Sequence, residues 1–158
     1  MNYKKLEEVY TEAANGIKSE WFVEDTDAMW YDYVMKLPEY QRIVYLTMIL
    51  DDQVLNGGFD QYFVNGYGQF VLETIQALKV IGALHKANYL ETAFKLINSK
   101  QYNIQLFRKK LLNQKIRSLY TDDALSDNLE KLDDDYYADE EDLIFLLHQY
   151  LSDSDRDD

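Results

Sequence analysis

The stretch PEYQRIVYLTMILDDQVLNGGFDQYF, residues 38–63, decides the fold class of this chain. Pro38 discourages helix at the residue before it and suits the first turn of a helix. The residues that follow are apolar on most sides as far as Val54, so they predict a helix that ends at the Asn-Gly-Gly of residues 56–58. A helix with so little polar surface needs other helices packed around it.

Apolar residues recur at helical spacing on both sides of this central helix. The spacing predicts a first helix with its stripe at residues 6–13 that ends near Asn15-Gly16, and a second helix that carries the apolar residues of 29–37. It also predicts helices over 69–81, 84–97 and 104–119, one starting at Ser126 and a last one starting at Asp139. Asp25-Thr26 is expected to cap the helix at 29–37. One proline and six glycines are too few for a many-stranded β-sandwich.

We therefore expect an all-α fold, a single compact domain of roughly seven to nine helices. Residues 1–36 are expected to form an N-terminal helical extension packed on the core. The main helical domain is expected over residues 37–151, and a disordered acidic tail over residues 152–158.

The composition points to the cytoplasm and away from membranes. The chain has no cysteine, which suits a reducing compartment. Its first ten residues lack the apolar core of a signal peptide, and no later stretch approaches the roughly 18 apolar residues of a membrane span. We expect a cytoplasmic protein without a membrane partner.

Charge is divided along the chain in three blocks. Residues 1–78 hold 13 acids and 5 bases, residues 79–121 hold 1 acid and 9 bases, and residues 122–158 hold 15 acids and 2 bases. An acidic protein is repelled by nucleic acid, so direct nucleic-acid binding is disfavoured and a basic partner is favoured. The middle block is expected either to neutralise an acidic block within the fold or to form a separate basic patch.

The residues that most enzymes and metal sites use are scarce. There are two histidines, His85 and His148, and neither has a second ligand at metal-binding spacing. With 29 acids, carboxylate pairs arise from composition alone. We therefore predict no catalytic residues, no metal site and no cofactor, and we do not expect an enzyme.

The glycine-rich element after the central helix is the most distinctive motif. Its residues are expected to form a sharp chain reversal and a buried aromatic turn, with a ligand site as the alternative. The glycine at 57 is expected to need a positive φ, so that valine there would strain the backbone. The side-chain amides at 56, 61 and 65 are expected to satisfy loose backbone groups. The element comprises Asn56, Gly57, Gly58, Phe59, Gln61, Tyr62, Phe63, Asn65 and Gly68.

A row of acids near the C-terminus is the second motif. Asp123, Asp127, Glu130 and Asp134, the acidic row, are spaced by 4, 3 and 4 residues and fall on one face of a helix. Further acids crowd the end of the row: Asp133, Asp135, Asp139, Glu140, Glu141 and Asp142. Like charges at this spacing repel, so the row is either a solubilising face or a site for a basic partner.

Three segments together resemble a known family. They are the glycine-rich element, residues 77–83 (ALKVIGA), and residues 132–137 (LDDDYY) with 141–143 (EDL). In this order they resemble the bacterial DNA-mimic protein family over about residues 37–151. The resemblance implies an all-α domain whose acidic surface imitates duplex phosphates and occupies the DNA site of a DNA-binding protein.

The leading functional expectation is therefore an acidic protein that binds a basic, DNA-binding protein as a DNA mimic, with a role in transcription regulation. The alternative is a helical adaptor or toxin-neutralising protein that recognises its partner by shape. Its anchors would be exposed aromatic residues, for which we consider Tyr31, Tyr33, Tyr136 and Tyr137. Monomer and homodimer both remain open.

Overall fold

The computed structural model of the protein describes residues 3–23 and 28–156. Over these residues the chain forms nine α-helices, two short 3₁₀ helices and no β-strand, so the predicted all-α class is confirmed. The α-helices are α1 (Tyr3–Ala14), α2 (Met29–Lys36), α3 (Glu39–Val64), α4 (Val71–Ile81), α5 (Leu84–Ile97), α6 (Ile104–Leu112), α7 (Ser118–Thr121), α8 (Asp123–Ala138) and α9 (Leu143–Arg156). The 3₁₀ helices span Ser19–Phe22 and Tyr67–Phe70.

Helix α3 is the centre of the molecule, as its apolar sequence predicts. It packs against α1, α4, α8 and the second 3₁₀ helix. Val44, Leu50 and Val54 are fully buried, and each such side chain contributes roughly 1.5–3 kcal/mol relative to an exposed one. Within the described residues, no helix combines the length and apolar character required to cross a membrane.

The helical dihedrals of α3 are interrupted at the two glycines, as the sequence predicts. Gly58 has φ +78° and ψ −179°, a conformation that only glycine adopts readily, and a second helical segment starts after it. Gly57 has φ −152°, so the expectation of a positive φ at this position is wrong. The chain therefore bends at Gly58, and the expected sharp reversal is instead a kink between two helical segments.

Residues 104–119 do not form the single helix that their periodicity suggests. Helix α6 ends at Leu112, and Gln114 takes a left-handed conformation with φ +58°. This turn redirects the chain so that Ile116 is buried, and the short helix α7 follows. Periodicity alone does not reveal the break, because apolar residues continue at helical spacing across it.

Helices α8 and α9 start at residues other than Ser126 and Asp139. Asp122 caps α8, since its side chain accepts a hydrogen bond from the Leu125 N–H at 3.0 Å. Asp142 does the same for α9 through the Phe145 N–H at 3.0 Å.

The two ends of the chain also differ in part from expectation. Helix α9 continues to Arg156, so residues 152–156 are helical rather than a disordered tail, and residues 157–158 lie outside the described residues. At the N-terminal side, α1 packs against α3. The predicted cap at Asp25-Thr26 falls outside the described residues.

Candidate protein-binding site

Helix α8 has one buried face and one acidic face. Its buried face packs against α3 and α5 through Leu125, Leu129, Leu132 and Tyr136. All four members of the acidic row are exposed. At 1.5 Å per residue, the row extends about 16 Å along the helix axis.

Asp133 lies between these two faces and has a structural role. Its Oδ1 accepts a hydrogen bond from the Phe59 N–H at 2.8 Å, so it caps the helical segment that starts after Gly58. A Cβ added to Gly58 would collide with this carboxylate. Burial raises the pKa of Asp133, and the charges of Asp134, Asp60 and Glu130 raise it further, against the effect of the Phe59 hydrogen bond.

Asp139 is also engaged within the fold. It accepts hydrogen bonds from the Tyr89 hydroxyl at 2.5 Å and from the Glu141 N–H at 2.8 Å, and its carboxylate lies 3.0 Å from His85 Nδ1. The Tyr89 hydrogen bond is the largest cause that lowers the pKa of Asp139 to about 2, with smaller effects from Glu141 and His85. The side chain therefore stays ionised at neutral pH.

Glu141 and Asp142 satisfy helix N-termini. The carboxylate of Glu141 accepts from the N–H groups of His85 and Lys86 at 2.8 and 2.9 Å, at the start of α5. Asp142 caps α9, as described above. Helix N-termini expose several unpaired N–H groups, so carboxylates at these positions stabilise the fold and are less available to a partner.

The ten acids expected to contact a partner thus fall into two groups. Four, namely Asp133, Asp139, Glu141 and Asp142, hold elements of the fold together. The other six are exposed and have no hydrogen bond or ion pair within the described residues; they are Asp123, Asp127, Glu130, Asp134, Asp135 and Glu140. The exposed Asp60 of α3 interacts electrostatically with Asp133, and we group it with these six acids. We call these seven residues the acidic surface.

A groove of about 330 Å³ lies beside the end of α8. Asp51 of α3, Glu140 and Glu141 contribute carboxylates to its wall, and Leu55 and Tyr137 contribute apolar area. The buried Lys86 also lines it, and its Nζ lies 4.2 Å from the centre of the Tyr136 ring. The groove therefore combines several carboxylates with one internal cation, a setting that favours a basic side chain from outside.

Three of the four tyrosines considered as anchors are committed to internal contacts. Tyr31 donates to Glu73 at 2.5 Å, Tyr33 donates to the Ala13 carbonyl at 2.6 Å, and the buried Tyr136 donates to Asp51 at 2.7 Å. Tyr137 donates to the Val54 carbonyl at 2.7 Å, yet 47% of it remains exposed. Of these four rings, that of Tyr137 is the one most available to a partner.

The glycine-rich element is built into the core. Phe59, Tyr62 and Phe63 are fully buried, which agrees with the predicted aromatic turn, and Gly68 lies against the Phe63 ring. The three side-chain amides do not satisfy backbone groups as expected. Instead Asn56 bonds to Gln61, and both Gln61 and Asn65 donate to Gln53, at 2.9–3.1 Å.

The basic middle block is split between two roles. Lys79 pairs with Glu91 at 3.1 Å, Lys86 is buried against Tyr136, and Arg108 pairs with Glu73 at 2.5 Å. The remaining six bases lie at the end of α5, in the turn between α5 and α6, on α6 and in the turn after α6. Both alternatives for the block therefore occur, internal pairing and a separate basic patch.

The histidines do not form part of a metal-ligand cluster in the described part of the chain, where no three His, Cys, Asp or Glu side chains are grouped to hold an ion. His85 is two-thirds exposed beside Asp139, and the ring of His148 meets that of Tyr3 edge-on at 5.4 Å. That the protein binds no metal stays a prediction.

Sequence reasoning found the exposed row but missed the structural acids. Asp133 follows Leu132 and lies four residues after Leu129, so its position beside the buried stripe is the signal that could have separated it from the row. For Asp139 and Glu141 the sequence carries no such signal, because the α5 groups that donate to them lie 50 or more residues away along the chain.

A family model matches most of the chain. The model of a family described as DMP19-like protein, in which DMP19 stands for DNA mimic protein 19, matches residues 35–154, well over half of the chain. No curated protein and no solved structure matches the chain. The matched range contains the glycine-rich element, the acidic surface and the groove beside α8.

Proposed function

The chain belongs to the DMP19-like family of DNA mimics, and from this premise we propose that it binds a basic, DNA-binding protein through its acidic surface. The observation that carries the proposal is the exposure of the acidic row, whose four carboxylates have no partner within the described residues. Exposed like charges on one helix face repel each other and contribute little to the fold, so they suit a surface that serves a partner.

The acidic surface imitates part of a duplex. Duplex DNA carries one charge per 1.7 Å of axis, or about nine over the length of the row. The acidic row supplies four of these. Asp60, Asp135 and Glu140 add charge on both sides of it, and together they bring the surface closer to the charge density that a DNA-binding site accepts.

The groove beside α8 extends this surface with a concave element. A lysine or arginine of the partner would enter between Asp51 and Glu140, while its aliphatic stem would contact Leu55 and Tyr137. Burial in a groove makes such an ion pair stronger than one on the open row. The row would then provide attraction at a distance, and the groove would provide specificity.

The proposal assigns no catalytic step to the protein. A family of DNA mimics acts by occupying a binding site, which requires neither a nucleophile nor a cofactor. A cytoplasmic location and a role in transcription regulation are consistent with such a partner and form part of the proposal.

The test compares two variants of equal net charge. In the row variant, Asp123, Asp127 and Asp134 are replaced by asparagine and Glu130 by glutamine. In the control variant, four exposed glutamates at the N-terminal end of the chain are replaced by glutamine: Glu7, Glu8, Glu12 and Glu20. Proteins that the wild type captures from the native host are identified and purified. The affinity of each captured protein for the wild type, the row variant and the control variant is then measured at low and high salt.

We expect the row variant to bind a captured DNA-binding protein about 100- to 1000-fold more weakly at low salt, at about 1 kcal/mol for each of the four lost charges, and the control variant to bind like the wild type. A duplex oligonucleotide should displace the wild type from this protein, because both occupy one surface. Unchanged binding by the row variant, or a ternary complex with DNA, would contradict the proposal and favour recognition by shape.

A further inference from the structure

Six bases form a second charged surface on the molecule. They are exposed, except for the half-buried Lys110, and within the described residues none of them pairs with an acid. The chain from 92 to 121 contains no acid at all. The six are Lys95, Lys100, Lys109, Lys110, Lys115 and Arg117, and we call them the basic surface.

Two contacts hold part of this surface together. The Nζ of Lys110 lies 4.9 Å from the centre of the Tyr102 ring, which fixes the side chain over the turn between α5 and α6. The Lys115 N–H donates to the Lys110 carbonyl at 2.7 Å, so the turn after α6 brings the two residues together. Lys109 is adjacent on the same helix. Three positive charges are therefore concentrated at the C-terminal end of α6.

An aromatic groove of about 470 Å³ lies at the C-terminal end of α6, where residues 111–114 form part of its lining. Trp21, Phe22, Trp30 and Leu112 are among its walls, and Phe22 is 53% exposed. Leu112 lies one helical turn after Lys109, on the same face of α6. Gln114, which also lines the groove, directly precedes Lys115. Apolar area and positive charge thus meet along one edge.

We propose that this edge binds a short acidic peptide segment of a protein partner. One large apolar side chain of the segment enters the aromatic groove beside Leu112, and carboxylates next to it pair with Lys109, Lys110 and Lys115. The site is separate from the acidic surface and does not depend on the function proposed for that surface.

The charge distribution favours a peptide over nucleic acid. A duplex carries its charges continuously along its length, so it would extend from the basic surface over the acidic parts of a protein of net charge −13. A short acidic segment ends within the basic surface and avoids this repulsion. Nucleic acid also has no flexible apolar side chain for the groove, whereas interface anchors of proteins are large apolar or aromatic residues.

The test uses a short fluorescein-labelled peptide in which glutamates flank a leucine and a tryptophan, and measures binding by fluorescence polarisation at low salt. The charge variant replaces Lys109, Lys110 and Lys115 by glutamine, and the groove variant is Leu112→Gln. A control of equal charge replaces three exposed lysines on other helices, Lys4, Lys36 and Lys131, by glutamine. Circular dichroism verifies that all variants fold.

We expect saturable binding of the peptide by the wild type, and this binding should weaken as salt rises. The affinity should fall about tenfold or more in each of the two site variants and less than about threefold in the control. The row variant of the acidic surface should bind the peptide as well as the wild type or better. Four results would overturn the proposal: no binding by the wild type, equal losses in site and control variants, equal binding of a peptide with glutamines in place of the glutamates, or tighter binding of a duplex oligonucleotide at the same lysines.

Discussion

Gly58 and Asp133 depend on each other at the bend in α3. The positive φ of Gly58 bends the chain, and its missing side chain leaves room for the carboxylate that caps the next helical segment. The segment after the bend carries the buried Phe59, Tyr62 and Phe63. One glycine and one aspartate, 75 residues apart, therefore place part of the aromatic core.

Alanine at position 58 should be costly for this reason. We expect Gly58→Ala to lower the free energy of unfolding by about 2 kcal/mol or more, from backbone strain and from displacement of Asp133. Gly57→Ala should cost less, because its φ is negative and its Cβ would meet only the flexible Gln61 side chain. Urea unfolding followed by circular dichroism measures both, and equal losses would contradict this account.

Asp139 makes a contribution to stability that depends on pH. Its pKa falls from 3.8 to about 2 in the folded protein, so its stabilising effect is fully present above about pH 4 and is lost as the pH falls through 2. Asp139→Asn should therefore be less stable than the wild type at pH 7, and the difference should shrink between about pH 4 and 2. Urea unfolding over this range tests the sign. A difference that grows on acidification would exclude the assigned hydrogen bonds.

At the scale of the helices, periodicity predicts the presence of a helix better than it predicts the residues at which the helix begins and ends. The positions of α1, α2, α3 and α5 follow from their apolar stripes, because burial of a stripe decides where a helix lies. The break after α6 and the starts of α8 and α9 do not. They depend on Gln114 adopting a left-handed turn and on which of several neighbouring aspartates accepts the cap hydrogen bond.

The candidate site was predictable to a similar extent. The exposure of the acidic row follows from its place opposite Leu125, Leu129 and Leu132. The structural use of Asp139 and Glu141 could not be foreseen, because a carboxylate in a crowded acidic sequence gives no indication of a donor that lies elsewhere in the chain. Residue type and spacing identify acceptors, and tertiary structure assigns their donors.

Asp142 and Glu140, two residues apart, allow a test of the distinction between structural and exposed acids. Asp142→Ala removes the cap of α9 and should cost about 1 kcal/mol, whereas Glu140→Ala removes an exposed carboxylate without a contact in the described residues and should change stability by less than about 0.5 kcal/mol. Hydrogen exchange at the first turn of α9 should increase in the first variant alone. Equal effects of the two substitutions would mean that charge, rather than capping, determines how this segment contributes to stability.

At the scale of the whole molecule, charge is separated rather than neutralised. The acidic surface lies on α8, in the turn after it and on the adjoining part of α3, and the basic surface lies at the end of α5, on α6 and in the turns beside α6. Within the described residues, Lys79 and Arg108 of the basic block pair with acids, and Lys86 is buried against Tyr136. A net charge of −13 therefore coexists with two surfaces of opposite sign, each of which selects a different class of partner.

The acidic row should contribute little to folding if it serves a partner. Its three consecutive like-charge pairs repel by about 0.2–0.5 kcal/mol each, while Asp123 interacts favourably with the N-terminus of α8. The row variant, with all four residues made neutral, should therefore be as stable as the wild type or up to about 1 kcal/mol more stable at low salt. Salt screens such pairs, so the difference should vanish at about 0.5 M salt.

Asp133→Ala is the matched contrast for this prediction. It removes one acid next to the row, but it leaves the Phe59 N–H without its acceptor, so we expect a loss of about 1–3 kcal/mol that persists at high salt. Urea unfolding at both salt concentrations compares the two variants. Destabilisation of the row variant by more than about 1 kcal/mol would show that the row supports the fold, because exposed side chains without contacts change stability by less than that. The division of the acids into a structural group and a binding group would then be wrong.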